Sequence, residues 1–402
     1  MHSHQDHSDR DTLPFKKFGW VTPVSLTRHN FYNIRPVVLI ICSASIEELP
    51  IFPPEETRHI KYGKMILDEK IAHGDVIVLD GATGTEIKRL GGKMDSAAWC
   101  AVANMNSPEK VQHVHESYLR AGADVITTNT FATCRHVLAG AGLDNDTIAI
   151  NQQAVTLARN ARDAVAPSRP VAIAGSMSNT VAWQPGFTSP DPRFIPTETQ
   201  EFANYREMAN TLADSGVDFL ILEMMLDIEH ASRALEAAVG TGLPVWVGIS
   251  CSLEENGAVV AWDLATQGHS AADHTPPQPL QLDEIINALR KIGGDVFGIM
   301  HSTVEATTPG LQILRERWSG PVMAYPETLR RVELSADQID QLPTPSFLDA
   351  DDVSPEVFAE VCRGWVSQGV QIIGGCCGTT IEHMQAMIQR LPVQATNRSP
   401  VG

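Results

Sequence analysis

No stretch of the chain approaches the roughly 20 consecutive apolar residues that a membrane helix needs. The longest near the N-terminus, Val37 to Cys42, is far shorter. Basic residues are in deficit: 30 Lys+Arg stand against 48 Asp+Glu, a net charge of −18. That balance excludes sequence-independent binding of DNA or RNA, which needs cations to displace counterions, and docking on an anionic membrane surface. Cysteine is sparse as well. Seven cysteines in 402 residues, two of them adjacent, do not make a disulfide framework and point to a reducing compartment, the cytoplasm. Glycine (29) and proline (25) stay near average usage, which removes collagen-like and low-complexity classes. What remains, with 43% hydrophobic and 19% charged residues, is a soluble globular protein. Its length suits two or three average domains or one large barrel.

Residues 1–64 read differently from the rest. His2, His4 and His7 open the chain together with Asp6, Asp9 and Asp11, and no helical or strand period persists before Pro50, Pro53 and Pro54. Lys16, Lys17 and Arg28 before Val37–Cys42, with Ser43-Ala44-Ser45 after it, imitate a secretory leader, but the basic segment is overlong. The expectation is therefore an irregular N-terminal extension over 1–64, a compact body over 65–392 and a short tail over 393–402.

From Gly74 a rhythm begins. Apolar, β-branched runs recur at Val76–Asp80, Val125–Asn129, Val171–Gly175, Phe219–Glu223, Val245–Ser250, Val296–Met300, Val322–Tyr325 and Val370–Gly374. They are apolar on successive residues, as parallel strands covered on both faces are. Between them lie helical patterns: Pro108–Ala121, Ile148–Ala166, Thr197–Ser215, Ile228–Val239, Leu282–Ile292, Gly310–Trp318, Ser354–Gln368 and Thr380–Leu391. Ser107 before Pro108 has the form of an N-cap, and Gly122, Gly216 and Gly369 follow helices just before strands. Eight strands, each with a helix, predict a (β/α)8 TIM barrel of the α/β class. Residues 253–281 and 327–353 are Pro-rich excursions around its mouth.

In such a barrel, chemistry sits where the strands finish. The residues there are Asp80, Asn129, Ser176, Glu223, Ser250/Cys251, His301, Tyr325 and Cys376/Cys377. Two thiolates and one imidazole make a usual zinc shell with a fourth position for substrate, so Cys376, Cys377 and His301 are the candidate Zn2+ ligands and catalytic residues. The glycines flanking the cysteine pair allow the bend that adjacent side chains need to reach one ion. Two inert buried cysteines, or a vicinal disulfide, are the alternative. Asp80 and Glu223 offer carboxylates to an ammonium, and amides near Gly81 and Ala82 offer a carboxylate cradle; a plain loop and a rim salt bridge are the alternatives. Together these groups describe a site for an amino acid carrying a thiol. Cys100, Cys134 and Cys362 read as small buried hydrophobes, and His113 and His115 as surface groups.

The motifs resemble the zinc-dependent homocysteine S-methyltransferase family, which includes betaine– and S-methylmethionine–homocysteine methyltransferases and the homocysteine module of cobalamin-dependent methionine synthase. They are LDGATGTE (79–86), Ser107-Pro108-Glu109 through YLRAGADVITTNTF (118–131), FLILEMM (219–225), GIS (248–250) and IIGGCCGTT (372–380), spread over about 68–392. The resemblance implies a barrel with three zinc ligands and homocysteine sulfur as the fourth. It makes Cys376 and Cys377 ligands, Glu223 the amino-group partner, and Asp80, Gly81 and Ala82 the amino-acid turn. Trp99 matches a donor-binding tryptophan, and Asn129 and Ser176 complete the expected substrate set. Two positions depart from the family. Gly298-Ile299-Met300-His301 stands where the family reads Gly-(Ile/Val)-Asn-Cys, so His replaces a thiolate and removes one negative charge. Ala132 stands where the betaine enzymes carry a Tyr, which favours a sulfonium donor such as S-methylmethionine over betaine. The expected partners are an amino-acid thiol and a methyl donor, with a homo-oligomer compatible. A different thiol or selenol acceptor, or a non-catalytic amino-acid binder, are the alternatives.

Overall fold

The structure, a computed structural model, describes residues 67–184, 190–261, 279–329 and 353–392, all within the unit Pro53–Gly402. The expected extension over 1–64 and the tail over 393–402 lie outside the described residues. Eight strands, β1 (Ile77–Val78), β2 (Val125–Thr127), β3 (Ala172–Ser178), β4 (Phe219–Met225), β5 (Val245–Ile249), β6 (Val296–Met300), β7 (Val322–Tyr325) and β8 (Ile372–Ile373), pair in the order β1-β8-β7-β6-β5-β4-β3-β2. All the pairs are parallel. The sheet curls into a nearly closed (β/α)8 barrel. Side chains sort by strand period. Ile77, Leu79, Phe219, Ile221, Val296 and Ile372 pack in one cluster inside the barrel. Val78, Leu220, Leu222 and Phe297 pack in a second, under the helices.

Eight main helices surround the strands: α1 (Pro108–Ala121), α2 (Thr147–Val165), α3 (Glu198–Asp214), α4 (Ile228–Val239), α5 (Leu282–Leu289), α6 (Val304–Arg317), α7 (Pro355–Ser367) and α8 (Ile381–Arg390). Thr197, Asp227, Thr303 and Ser354 cap α3, α4, α6 and α7 by accepting a backbone N–H. Ser107 does not: it makes no side-chain cap, and its Oγ accepts instead from Lys93 N at 3.4 Å. α6 starts six residues before the expected Gly310, because the Thr303 cap fixes its first turn and Pro309 is tolerated within it. His115, expected at the surface, is fully buried on α1 on the face that carries Val111, Val114, Tyr118 and Leu119. Burial pushes its pKa down to about 4. His113 is exposed.

A repeated device ties the strands in pairs. Asp124, Asp218 and Asp295 immediately precede β2, β4 and β6. Each donates its N–H to a carbonyl on the preceding strand and accepts that same residue's N–H on Oδ2. The partners are Val78 (2.8 and 2.9 Å), Ile173 (2.9 and 2.7 Å) and Val245 (2.8 and 2.8 Å). Between β1 and β2, where no ladder forms among the described residues, this clasp and the Asp80 carboxylate bonded to Thr127 close the seam. A short antiparallel ribbon, Cys251–Leu253 with Val259–Ala261, follows β5. Among the described residues no helix is long and apolar enough to cross a membrane.

Candidate metal and substrate site

A cavity of about 560 Å3 opens at the C-terminal ends of the strands, where a parallel barrel gathers its loops. Backbone strain converges on it. Among the described residues three non-glycines have left-handed φ, Trp99 (46°), Met224 (56°) and His301 (45°), and all three line the cavity. Such conformations cost roughly 1–3 kcal/mol each and survive where the surroundings enforce them.

The buried run of β6 ends at Met300, and the left-handed turn at His301 aims its imidazole at the end of β8. There the chain passes through Gly374-Gly375. Neither glycine is left-handed. They are needed for close approach: a Cβ on Gly375 would sit 2.4 Å from the Thr379 side chain, and one on Gly374 2.6 Å from Leu79 Cβ. Thr379 then folds the cysteine turn back, its Oγ1 donating to Cys376 O at 2.6 Å and accepting from Ala82 N at 3.0 Å.

The result is a triangle. His301 Nδ1 lies 3.6 Å from Cys376 Sγ and 3.5 Å from Cys377 Sγ, and the two sulfurs are 3.9 Å apart. With zinc bonds of about 2.3 Å to sulfur and about 2.05 Å to nitrogen, a regular tetrahedron has S–S edges of about 3.8 Å and S–N edges of about 3.6 Å. The three donors fit a single tetrahedral ion with one vertex left over. Among the described residues no other three His, Cys, Asp or Glu side chains converge in this way. All the described cysteines are free thiols, which excludes the vicinal disulfide here. The bond shared with Cys376, together with the facing His301, pulls the Cys377 thiol well below its ordinary pKa; the same shared bond pushes Cys376 up.

The segment after β7 braces the triangle. His301 N donates to Tyr325 O (3.3 Å), Glu327 N to Ser302 O (3.0 Å), Cys376 N to Pro326 O (2.8 Å) and Thr328 N to Cys377 O (3.0 Å). One four-residue strap thus holds both ligand-bearing strand ends. The Glu327 carboxylate lies 3.7 Å from His301 Nδ1. Sequence reasoning placed 327–353 as an excursion and missed Glu327; an acid two residues beyond a fully buried strand was the signal available. Tyr325, named among the strand ends but given no role, lines the cavity with its hydroxyl buried and without a hydrogen-bond partner among the described residues.

The other expected residues separate into two groups. Glu223 reaches the cavity from β4, and burial raises its pKa to about 7, against a hydrogen bond from Ser176 Oγ that favours the charged form. Ser176 does not line the cavity and acts beneath Glu223. Trp99 forms part of the wall. Asp80 also lines it, but Thr127 holds both its carboxylate oxygens, through N (2.7 Å) and Oγ1 (2.9 Å), and burial raises its pKa to about 8. The Ala82 amide is engaged with Thr379, and Gly81 is small because Tyr118 lies 2.8 Å from where its Cβ would be. The Asn129 amide is committed to Cys100 and Asn104. Cys251 is buried away from the cavity, its N–H donating to Ser302 Oγ at 2.9 Å.

A sequence profile described as homocysteine S-methyltransferase matches residues 77–391, the whole barrel with this cysteine turn. The chain belongs to the homocysteine S-methyltransferase family. Members of this family are methyltransferases that act on homocysteine sulfur, and this chain is an enzyme of that kind. Its fold is that of the homocysteine methyltransferase MmuM from Escherichia coli. The metallated form of that protein is 21% identical, with a TM-score of 0.59 over 82% of this chain and 99% of the other. The oxidized form gives the same values, and the apo form a TM-score of 0.53. The family's barrel therefore accounts for the architecture, and the triangle stands where its strands finish.

Proposed function

We propose that the enzyme moves a methyl group from a sulfonium donor of the S-methylmethionine type to the thiol of homocysteine, giving methionine, at a zinc ion held by His301, Cys376 and Cys377. The observation that carries this reading is the 3.5, 3.6 and 3.9 Å triangle of one nitrogen and two sulfurs, with its open vertex. Bound there, zinc supplies a lowered thiol pKa and so a thiolate at neutral pH. The remaining work falls to the chain. Glu223, set by Ser176, takes the ammonium of the amino acid. Trp99, with Phe131 and Trp183 on the same cavity wall, offers ring faces to a cationic donor. In the transfer step a lone pair of the homocysteine sulfur forms the new S–C bond while the donor's sulfonium S–C bond breaks. The donor leaves as a neutral thioether, and the thiol proton goes to solvent.

The catalytic unit is the barrel over 65–392. The free cysteines support a reducing, cytoplasmic setting.

Methionine formation from homocysteine tests the reading. S-methylmethionine is expected to be turned over and betaine at least about tenfold less well, since the aromatic partner at position 132 is an alanine. Cys377→Ser should lose bound zinc and at least about a thousandfold in rate while keeping its fold. Turnover of betaine in preference, or full activity of Cys377→Ser, would contradict it.

A further inference from the structure

Glu223, the acid set to take the ammonium, stands where β4 departs from a plain strand. Leu222 pairs with Val247 and Met225 with Ile249, so Glu223 and Met224 together face the single residue Gly248 on β5. This is a β-bulge, a device by which a strand re-aims a side chain beside a site. Adjacent residues of a regular strand face opposite ways, yet Glu223 and Met224 both line the cavity. Met224 carries the turn with a left-handed φ of 56°, which a non-glycine keeps only where its surroundings enforce it.

The group that enforces it comes from the next strand but one. The Met224 N–H donates to Sδ of Met300, at the end of β6, at 3.0 Å, and Ser250 Oγ donates to the same sulfur at 3.5 Å. Met300 is 1% exposed. Its side chain crosses β5 to reach the bulge, and Gly248 is the residue that leaves the lane open: a Cβ there would sit 2.6 Å from Met300 Cγ. We propose that Met300 is a positioning residue for the amino-group contact: its thioether holds the Met224 N–H and so keeps the bulge that turns Glu223 into the cavity. This inference rests on Glu223 as the partner of the substrate ammonium. Ser176 Oγ fixes the end of the Glu223 side chain, and Met300 fixes the backbone from which that side chain starts. Without an acceptor at Met300 the buried N–H has no partner, and the left-handed turn loses what holds it.

The test is binding of two thiols to the zinc-loaded full chain, measured by titration calorimetry: homocysteine, and 4-mercaptobutyrate, which is homocysteine without its amino group. Both offer the same sulfur, and only homocysteine offers an ammonium to Glu223. Met300→Leu keeps the volume and removes the acceptor; its Kd for homocysteine should rise about tenfold, and that for 4-mercaptobutyrate should stay within about twofold. Met300→Gln returns an acceptor at about the same reach and should bring homocysteine to within about threefold of wild type. Equal losses on both thiols in Met300→Leu would place the effect in the fold or at the neighbouring His301, and overturn the proposal. Wild-type binding of both thiols by Met300→Leu would overturn it too, as would Met300→Gln no better on homocysteine than Met300→Leu. If Met300→Leu does not fold, Met300→Val, which lacks the acceptor and adds no bulk, is judged by the same ratio of the two thiols. Glu223→Gln separates the two readings: if it abolishes the wild-type preference for homocysteine and Met300→Leu does not reduce it, only the role of Met300 fails. A wild type that binds the two thiols equally defeats the ammonium reading of Glu223, and this inference with it.

Discussion

At the scale of single residues, the Tyr325 hydroxyl is buried at the cavity wall and unsatisfied among the described residues, and a buried donor without a partner costs about 1–3 kcal/mol. The acidic groups Glu223, Cys376 and Asp80 surround it electrostatically and help push its pKa up after burial. The residue lines the cavity, but its hydroxyl is closed off from the open space, against Gly248. Tyr325→Phe should therefore leave the melting temperature unchanged or slightly raised, with KM for homocysteine unchanged, since removing an unsatisfied buried hydroxyl relieves the penalty. A lower melting temperature with unchanged KM would show that the hydroxyl serves the fold. His301, Cys376 and Cys377 were legible because soft ligands at the ends of apolar strands have few other reasons to be there. Asp80 and Asn129 looked equivalent to them in sequence, yet their side chains are committed to Thr127 and to the Cys100–Asn104 pair. Those commitments join residues from different loops, and no local pattern reveals them.

At the scale of elements, the clasps at the feet of β2, β4 and β6 carry the argument. Each Asp joins consecutive strands by a reciprocal pair of bonds, so replacing it strands a buried N–H. Asp218 adds a pH signature. Burial raises its pKa to about 7, and one of its carboxylate oxygens has no partner among the described residues. A carboxyl whose folded pKa lies above its unfolded value binds its proton more tightly when folded. Its contribution to stability is therefore complete below about pH 4 and is lost as pH rises through about 7. Asp218→Asn removes that titration. Its melting temperature should fall less than that of wild type between pH 5 and pH 8; parallel curves would refute the assignment. The strands and most helices were readable from continuous apolar runs, 3.6-residue periods and terminal glycines. The start of α6 was not, because Pro309 reads as a break while the Thr303 cap lies farther upstream. His115 was misplaced although it shares the buried face of Val111, a case where polarity misled and spacing was right.

At the scale of the whole molecule, eight βα units bring His301 and the pair Cys376/Cys377, 75 residues apart, to within bonding range of one ion. Closure of the barrel, invisible in the sequence, is what converts a list of strand ends into a ring of groups around one cavity. The net charge of −18 disfavours polyanionic ligands. The central claim is that one nitrogen and two sulfurs hold an ion whose fourth vertex takes the substrate thiol. X-ray absorption at the zinc edge of the loaded enzyme, with and without homocysteine, tests it most directly. The account predicts two sulfur scatterers near 2.3 Å in the free enzyme and three with homocysteine bound, at one zinc per chain. A sulfur count that stays at two on adding homocysteine, or a purified protein that binds no zinc, would contradict it.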